Sequence, residues 1–256
     1  MNKVIETINK RVSLRRYKDA PISDEHLDII LNSAIKASTA GNMMMYSILK
    51  IKDTTTKEKL SITCDNQPFI KNAPVVLIFL ADVNKWFKYF ELCGIEDIKS
   101  PGLNDLMLGV NDALIAAQNA VIAAESLGIG SCYIGDIMEN YEIHKELLNL
   151  PKYTFPACML TLGYYPDDYK RTFRDRFNSD FVVFDEVYKN LNDDELKDMF
   201  SNKENNLPKT NPFNAKNFGE LIYKRKTSSD FSIEMDRSIR ENIKYYHILP
   251  ALYNKY

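Results

Sequence analysis

The sequence predicts an α+β fold in which helices flank a central sheet. Two short apolar runs rich in β-branched residues, at 46–51 and 75–81, have the composition and length of strands. The second run is apolar at successive positions, which is typical of a strand covered on both faces. A long alanine-rich pattern at 110–127 repeats with the period of a helix. We therefore expect residues 110–127 to form the central, most buried helix.

The other elements follow from apolar periodicity and from residues that start or stop helices. Val4, Ile5 and Ile8 share one helical face that stops just before Arg11. Ser23, followed by two acidic residues, predicts the start of a second helix, which we expect to end near 40–42. The remaining expected elements are a loop at 64–69, an aromatic helix around Trp86, strands at 131–135 and 157–165, and a helix at 141–150.

The chain is expected to form one folded core at 1–184, followed by an extension at 185–256. Its 256 residues suffice for one sizeable core. After residue 184 the composition shifts towards Asn, Lys and Asp, and the segment 201–211 predicts a flexible piece. Helices are expected again around 218–222 and 231–243. Because this extension has little core of its own, we expect it to pack on the core or on a partner subunit.

Composition and charge argue against several classes of partner. The chain has 33 Lys and Arg against 35 Asp and Glu, and its net charge of -2 lacks the basic excess of nucleic-acid-binding proteins. The first residues lack the apolar core of a signal peptide, and no run reaches the ~18–20 apolar residues that span a bilayer. We therefore expect a cytoplasmic protein without nucleic-acid or membrane partners.

Neither the cysteines nor the histidines have the spacing of a metal site. The cysteines lie in or beside apolar runs without a CxxC pair, and we expect reduced packing residues at Cys64, Cys93, Cys132 and Cys158. The histidines lie far apart in segments expected to be helical and polar-faced, at His26, His144 and His247. The sequence therefore predicts neither a metal centre nor a cysteine nucleophile paired with a histidine.

The first basic cluster is Arg11-Val12-Ser13-Leu14-Arg15. In an extended segment, side chains two residues apart point to the same side. The two arginines and Ser13 would then share one side, with Val12 and Leu14 turned into the core. Two guanidinium groups and a hydroxyl suit a phosphate or a carboxylate. Taken alone, such a motif is more often a solvated basic surface.

A second basic cluster, KRTFRDRF at 170–177, follows the last expected core strand. Loops at strand ends often carry ligand-binding groups, although a solvated loop is the commoner outcome for such a run. The methionine run at 43–45 and the aromatic residues around Trp86 would either fill the core or line an apolar pocket. The residues themselves leave both alternatives open.

Five segments, taken in order, resemble the nitroreductase family, in particular its oxygen-insensitive, NADPH-dependent nitroreductase and flavin reductase branch. They are RVSLRRYKDAPIS, ASTAGN, CDNQPF, DALIAAQNAVIAAESLGIGSCYIGD and LGYYPDDYKRTFRDRF. The resemblance covers most of residues 1–184. It implies a central, mainly antiparallel sheet flanked by helices, in a domain-swapped homodimer with flavin mononucleotide (FMN) at the subunit interface.

The resemblance implies that both basic clusters contact FMN. Arg11 and Ser13 would bind its phosphate. Arg15 would reach the ring near N1 and the C2 carbonyl, where reduction places negative charge. Arg174 and Arg176 would complete the phosphate site, and the competing positions for that role are Lys170 and Arg171.

Three polar segments would contact the rest of the cofactor. Gln67 would supply an amide to the same polar edge of the ring. The turn beside the ribityl chain and ring would consist of Ser38, Thr39, Ala40, Gly41 and Asn42. The backbone approaching N5 and O4 would be that of Tyr133, Ile134 and Gly135. The sequence departs from the branch at Asp136, where a glycine is frequent, and at the methionine run after Asn42.

The function implied is an FMN-dependent oxidoreductase. It would transfer a hydride from NADPH or NADH through flavin N5 to a nitroaromatic, quinone or flavin acceptor. No catalytic side chain is required for such a transfer. The alternative is a non-enzymatic flavin-binding redox sensor or a cofactor-sequestering protein. The acceptor and the preferred nicotinamide are left open.

Overall fold

The computed structural model describes residues 2–246, so His247 lies outside the described residues. The chain divides into two compact units. The first runs through Arg171 and resumes at Glu234, and the second is Thr172–Ile233. The first unit contains the sheet and the segments that bear the first basic cluster.

The sheet of the first unit confirms the α+β class with antiparallel strands. Its strands are β1 Tyr46–Ile51, β2 Val75–Asp82, β3 Ile129–Ile134 and β4 Thr154–Tyr164, in the order β1-β2-β4-β3. Every neighbouring pair is antiparallel. All eight residues of β2 are buried, because its alternate side chains pack into two apolar clusters, one on each face of the sheet, as the continuous apolar run predicts.

One long helix covers the sheet. α6, Leu103–Ser126, buries its small residues against the strands, and its fully buried alanines are Ala113, Ala116, Ala117, Ala120 and Ala124. The helix begins one to two turns before the predicted position, because Asp105 caps the backbone of Gly102. By length and composition α6 is apolar enough to cross a membrane, yet in this fold it is the core helix.

The shorter helices of the first unit lie around this core. They are α1 Lys3–Lys10, α2 Asp24–Ile35, α3 Thr54–Thr63, α4 Pro68–Asn72, α5 Asn84–Leu92, α7 Tyr141–Leu147 and α10 Asp230–Ile243, which starts in the second unit. The prediction that α2 reaches 40–42 is wrong, because Lys36 is its C-cap and Ala40–Asn42 is a separate 3-10 turn. The predicted loop at 64–69 is partly wrong, since Pro68 opens α4.

The second unit contains α8, Asp193–Asn205, and α9, Phe218–Ile222. The prediction of a flexible piece starting at Ser201 is wrong for its first residues, which end α8. A reciprocal cap between Asn192 and Glu195 starts this helix. Within the unit, Phe200 packs edge-on against Phe177, with ring centroids 5.2 Å apart.

Two expectations about single residues are corrected by the fold. Cys93 is exposed, whereas the other three cysteines are buried as predicted. His144 is fully buried, so it does not lie on a polar face. Its Nδ1 lies 3.0 Å from the Ile137 carbonyl oxygen and its Nε2 lies 2.7 Å from the Thr63 hydroxyl. Within residues 2–246, no three His, Cys, Asp or Glu side chains form a group that would hold a metal ion.

Candidate functional site

The first basic cluster lies along the free edge of β3. α1 ends at Lys10, and the chain then becomes extended. Ser13 forms a parallel bridge with Ser131, and the Leu14 N–H donates to the Ser131 carbonyl oxygen at 2.9 Å. Val12 and Leu14 are buried, while Ser13 and Arg15 are exposed and Arg11 is half-buried. The period-2 prediction for this segment is therefore confirmed.

Two glycines permit this close packing. A Cβ added to Gly130 of β3 would lie 2.5 Å from Leu14 Cδ2, a distance too short for two carbon atoms. A Cβ added to Gly163 of β4 would lie 2.5 Å from Tyr17 Cδ1. The Tyr17 hydroxyl is hydrogen-bonded to the Thr161 hydroxyl at 2.7 Å. Tyr17 therefore holds the end of the basic segment against the sheet.

The buried thiol of Cys132 donates to the Tyr133 carbonyl oxygen at 3.5 Å, and it lies near the charges of Arg15 and Arg11. Burial raises the pKa of the Cys132 thiol, and the nearby charges of Arg15 and Arg11 oppose that rise. The thiol is thus a small buried group that separates the cluster from the core.

The backbone of β3 adds outward-facing donors beside the cluster. The carbonyl of Ser131 points away from β4, because it accepts from Leu14. Orientation alternates along an antiparallel edge, so the N–H groups of Tyr133 and Gly135 point the same way. Tyr133 also exposes part of its side chain, and its hydroxyl donates to Gln118 Oε1 at 3.3 Å. The β3 edge therefore offers backbone N–H groups as well as guanidinium groups.

Gln67, at the start of α4, contacts the residues that follow β3. Its Nε2 donates to the Cys64 carbonyl oxygen and to Asp136 Oδ2, at 2.9 Å each. The Arg15 guanidinium lies 5.7 Å from the centre of the ring of Phe69, two residues after Gln67. Arg15, Gln67 and Asp136 therefore lie together at this edge. We use the name β3-edge cluster for these three residues with Arg11, Ser13 and Tyr133.

The predicted turn at 38–42 is built differently, from strained backbone. Gly41 and Asn42 both have φ of 56°, in the left-handed region. Asp112 of α6, 2% exposed, accepts from the N–H groups of Ala40 at 2.9 Å and Met45 at 3.1 Å. Trp86 Nε1 donates to the Met43 carbonyl oxygen at 2.7 Å. We call residues 38–45, held in this way, the β1-edge turn.

The methionine run and Trp86 line a groove of about 320 Å³ beside the β1-edge turn. Met43, Met44 and Tyr89 contribute its apolar walls, and Lys85 lies at its side. Of the two alternatives for these residues, a pocket lining is the one observed for Met43, Met44 and Trp86. Met45 instead fills the core.

The β3-edge cluster and the β1-edge turn lie at opposite edges of the sheet. β1 and β3 are its two outer strands. Three inter-strand spacings separate them, or roughly 14 Å at about 4.8 Å each. Within one chain, the predicted contact residues therefore form two groups rather than one.

In the second basic cluster, Arg171 has a structural role. Its Nη1 lies 2.6 Å from Oε1 of the buried Glu125 and donates to the Lys10 carbonyl oxygen at 2.7 Å. The guanidinium also stacks 4.1 Å from the centre of the Tyr165 ring. Arg171 thus ties the end of α1 to the end of α6 through its Nη1 group.

Arg174 and Arg176 lie in the second unit and are exposed. Their neighbours attach the segment to α8, because Asp175 accepts from Asn202 at 2.8 Å and Phe177 packs on Phe200. Within the described part of that unit, no side chain pairs with either arginine. Both guanidinium groups are free to bind an anion.

The sequence model of the nitroreductase family matches residues 8–164. The chain belongs to the nitroreductase family. It is 33% identical over 199 residues to the FMN reductase [NAD(P)H] of Bacillus subtilis, covering 77% of this chain and 78% of that relative. It is 30% identical over 193 residues to the oxygen-insensitive NADPH nitroreductase of Salmonella typhimurium, covering 75% and 78%.

Solved structures agree with this assignment. NfrA2 of B. megaterium superimposes with a TM-score of 0.82 at 32% identity, over 94% of this chain and 98% of that one. This nitroreductase family member nevertheless has supporting residues that sequence patterns did not reveal: Asp112, Glu125 and Glu139. Each is a single polar residue within or beside an apolar run, and a single residue has no periodicity that would reveal its partner.

Proposed function

We propose that this nitroreductase family member is an FMN-dependent oxidoreductase that uses NADPH or NADH to reduce nitroaromatic, quinone or flavin acceptors. The observation that carries the proposal is the β3-edge cluster, in which guanidinium groups, a hydroxyl and backbone N–H groups face one side. Similarity to an FMN reductase and to an NADPH nitroreductase supports the same chemistry.

The donor set at this edge fits FMN. Arg11 and Ser13 are assigned to the phosphate, since charge-assisted guanidinium bonds suit a dianion. Arg174 and Arg176 are assigned as further phosphate ligands, because their guanidinium groups have no other partner in the described part of their unit. The N–H groups of Tyr133 and Gly135 are assigned to the polar atoms of the ring at N5 and O4. Ile134, whose side chain is buried, supports that backbone from below.

The protein's own contribution is binding and charge. Bound FMN would supply the redox centre at N5, which accepts a hydride from the nicotinamide and passes the electrons to the acceptor. Arg15 places a fixed positive charge at the ring edge, which stabilises the negative charge of the reduced form. His144 is buried and hydrogen-bonded, and burial lowers its pKa, so it keeps a neutral structural role away from the edge.

We propose a homodimer in which the β3-edge cluster of one subunit and the β1-edge turn of the other share a cofactor. The turn residues assigned to FMN are Ser38, Thr39, Ala40, Gly41 and Asn42. α1 exposes Val4, Ile5 and Ile8, and α6 exposes Met107, Leu108 and Ile115, each by 41–56%. Apolar faces of this extent on neighbouring helices favour burial against a second copy. The reaction is assigned to the cytoplasm, where reduced nicotinamides are available.

Cofactor binding and anaerobic reduction test the oxidoreductase. Purified protein should retain FMN, and NADPH or NADH should bleach the oxidised flavin band under anaerobic conditions. The faster nicotinamide is the preferred donor. Retained flavin that neither nicotinamide bleaches would favour the redox-sensor alternative. A protein that does not bind FMN at all would overturn the proposal.

Two neighbouring arginines make a matched pair for the phosphate assignment. Arg11→Gln should weaken FMN binding at least about tenfold, since charged hydrogen bonds are lost. Arg16→Gln removes the same charge, but Arg16 is exposed and paired with Asp168 at 3.0 Å, so FMN affinity should stay within about twofold. Equal losses in both variants would mean that general charge, not the β3-edge cluster, attracts the cofactor.

Subunit complementation tests the shared site. Arg11→Gln breaks the β3-edge cluster, and Asn42→Ala removes a polar side chain from the β1-edge turn. A mixed dimer would contain one site with both changes and one intact site. Activity should therefore rise when the two defective variants are mixed. If each site is built from one chain alone, mixing will restore nothing.

A further inference from the structure

A pair of carboxyl groups stands at the end of β3, behind Gln67. Asp136 opens the 3-10 turn that follows the strand, and Glu139 closes it. Within this turn the Glu139 N–H donates to the Asp136 carbonyl oxygen at 3.0 Å, so the two carboxyl groups belong to the same turn. Glu139 is 5% exposed, and its Oε1 is buried with no hydrogen-bond partner within residues 2–246. A buried carboxylate oxygen that faces another carboxyl group requires an explanation.

A proton between the two groups supplies that explanation. Two neighbouring carboxylates repel each other, whereas a carboxylic acid can donate a hydrogen bond to a carboxylate. Asp136 already accepts from Gln67 at 2.9 Å, whereas Glu139 Oε1 has no donor among the described residues. Glu139 is then the protonated member. Burial, followed by the charge of Asp136, raises the pKa of Glu139 to about 8.

The surrounding groups keep the proton on the pair. Asp65 from the loop before α4 and Glu234 from α10 add negative charge that raises the pKa of Glu139. Arg237 is engaged with Glu142 at 2.8 Å and with Glu234. The remaining titratable neighbours are neutral, because burial lowers the pKa of His144 and raises that of the Cys64 thiol.

The same contacts determine the orientation of the Gln67 amide. The Cys64 carbonyl oxygen is an acceptor and cannot donate, so the nitrogen of Gln67 must face it. The second N–H of that nitrogen points to Asp136. Both donors of the side chain are therefore used within the protein. Its carbonyl oxygen is left without a partner among the described residues.

We propose that Asp136 and Glu139 share one proton and act as positioning residues, which hold Gln67 so that it offers its carbonyl oxygen to the flavin ring. This proposal rests on the proposed function. Gln67 would then accept from a ring N–H instead of donating to a ring carbonyl. A glycine at position 136 would leave one Gln67 N–H without its carboxylate partner. Asp136, which departs from the family pattern, thus changes the contact between Gln67 and the flavin ring.

Infrared spectroscopy tests the shared proton without any cofactor. The wild-type protein should show the C=O stretching band of a buried carboxylic acid, which fades as the pH rises through about 8. Glu139→Gln should lack that band. Glu142→Gln is the matched control, because Glu142 is bound by Arg237, which lowers its pKa. A band that persists in Glu139→Gln, or that is absent from the wild type, would overturn the shared proton.

A double-mutant cycle on FMN affinity tests the orientation of Gln67. Asp136→Ala should weaken FMN binding about tenfold, because one N–H of the Gln67 amide then loses its acceptor and the amide is no longer held in one orientation. In a Gln67→Met background the same change should cost less than about twofold. Equal losses in both backgrounds would show that Asp136 acts independently of Gln67 and would overturn the positioning role.

A pH titration of the bound flavin adds a second cofactor readout. The visible spectrum of oxidised FMN on the wild-type protein should shift near pH 8, when the pair gains a second negative charge. Glu139→Gln should abolish the shift, and Glu142→Gln should keep it. Failure of wild-type protein to bind FMN would reject the proposed function, while the infrared result would still decide the proton. Normal FMN binding without the spectral shift would reject the proposed influence of the pair on the ring.

Discussion

The two edges of the sheet present polar groups in opposite ways. At the β3 edge, guanidinium groups and a hydroxyl project from an ordinary extended segment packed on Gly130. At the β1 edge, the β1-edge turn has left-handed backbone at Gly41 and Asn42, and a single buried carboxylate holds it. The first edge depends on side-chain identity, and the second depends on backbone conformation. Their sensitivities to mutation should therefore differ in kind.

The protein contains a built-in reporter for this difference. Its single tryptophan, Trp86, is hydrogen-bonded to the Met43 carbonyl in the β1-edge turn. Tryptophan fluorescence therefore follows the β1 edge, while FMN affinity follows the β3-edge cluster under the proposed function. Together they show which edge a substitution disturbs.

The largest effect is expected from Gly130→Val at the β3 edge. The added Cβ alone would lie 2.5 Å from Leu14 Cδ2 and 2.8 Å from Tyr165 Cζ. Overpacking of this kind should lower the free energy of unfolding by about 3 kcal/mol and displace the basic segment. Chemical denaturation measures the loss. Trp86 emission of the folded variant should stay unchanged.

Gly135→Ala provides the matched control on the same edge. Its added Cβ would approach only Met138 Cε, at 3.8 Å, which is an ordinary contact. Its stability should therefore lie within about 0.5 kcal/mol of the wild type. If Gly130→Val proves equally harmless, the close approach of Leu14 to β3 does not support the basic segment.

The next largest effect should come from Asp112→Asn at the β1 edge. The amide has one acceptor oxygen where two N–H groups need acceptors, so one buried bond is lost. We expect a loss of about 2–3 kcal/mol in unfolding free energy. Trp86 emission should change, because the turn that includes Met43 loses its clamp. Asp28→Asn, an exposed helix position with the same charge change, should leave both measurements unaltered.

Arg171→Met should have an intermediate effect that is confined to the β3 side. It leaves Glu125, whose side chain is 4% exposed, without its cation. The expected cost is about 2 kcal/mol, less than for a fully buried pair, because Arg171 is partly exposed. Adding Glu125→Gln should recover much of this loss in denaturation experiments. Lys170→Met should be neutral, and an equal loss there would reject the structural role of Arg171.

The last comparison is the pH dependence contributed by Glu139 near the β3 edge. Its pKa is raised from 4.5 to about 8, so the folded state binds this proton more tightly than the unfolded state. The free energy of unfolding should therefore fall as pH rises from about 5 to about 8, the range between the two pKa values. Glu139→Gln should flatten that decline in thermal melts across the same range. An unchanged slope would mean that Glu139 is ionised in the folded protein.

Much of the fold could be predicted because its core elements have strong periodicity. β1 was predicted with its observed bounds, and β2 differs by one residue at its end. α3 was missed, since its residues have little amphipathic pattern and Asp53 alone marks its start. α8 was missed for a similar reason, because its polar composition resembles that of a flexible segment.

The candidate site was predictable where residues repeat with a simple period. The alternation of Arg11, Ser13 and Arg15 follows from an extended chain over an apolar layer, and the fold has this arrangement. The sequence could not decide whether Arg171 or Arg174 is available to bind phosphate. Arg171 is paired with Glu125, which lies far away in sequence, and no local pattern predicts that pairing. Asp112 was hidden in the same way within an alanine-rich helix.

The sequence by itself determined the class of fold, the central helix and the side of the chain that carries the basic groups. These properties depend on neighbours within a few residues, and local periodicity records them. The tertiary structure alone decided which groups meet: Cys132 beneath Arg15, Asp112 beneath the β1-edge turn, and Gln67 against Asp136. Each of these contacts joins residues far apart in the chain, so their pairing arises only when the sheet brings the segments together.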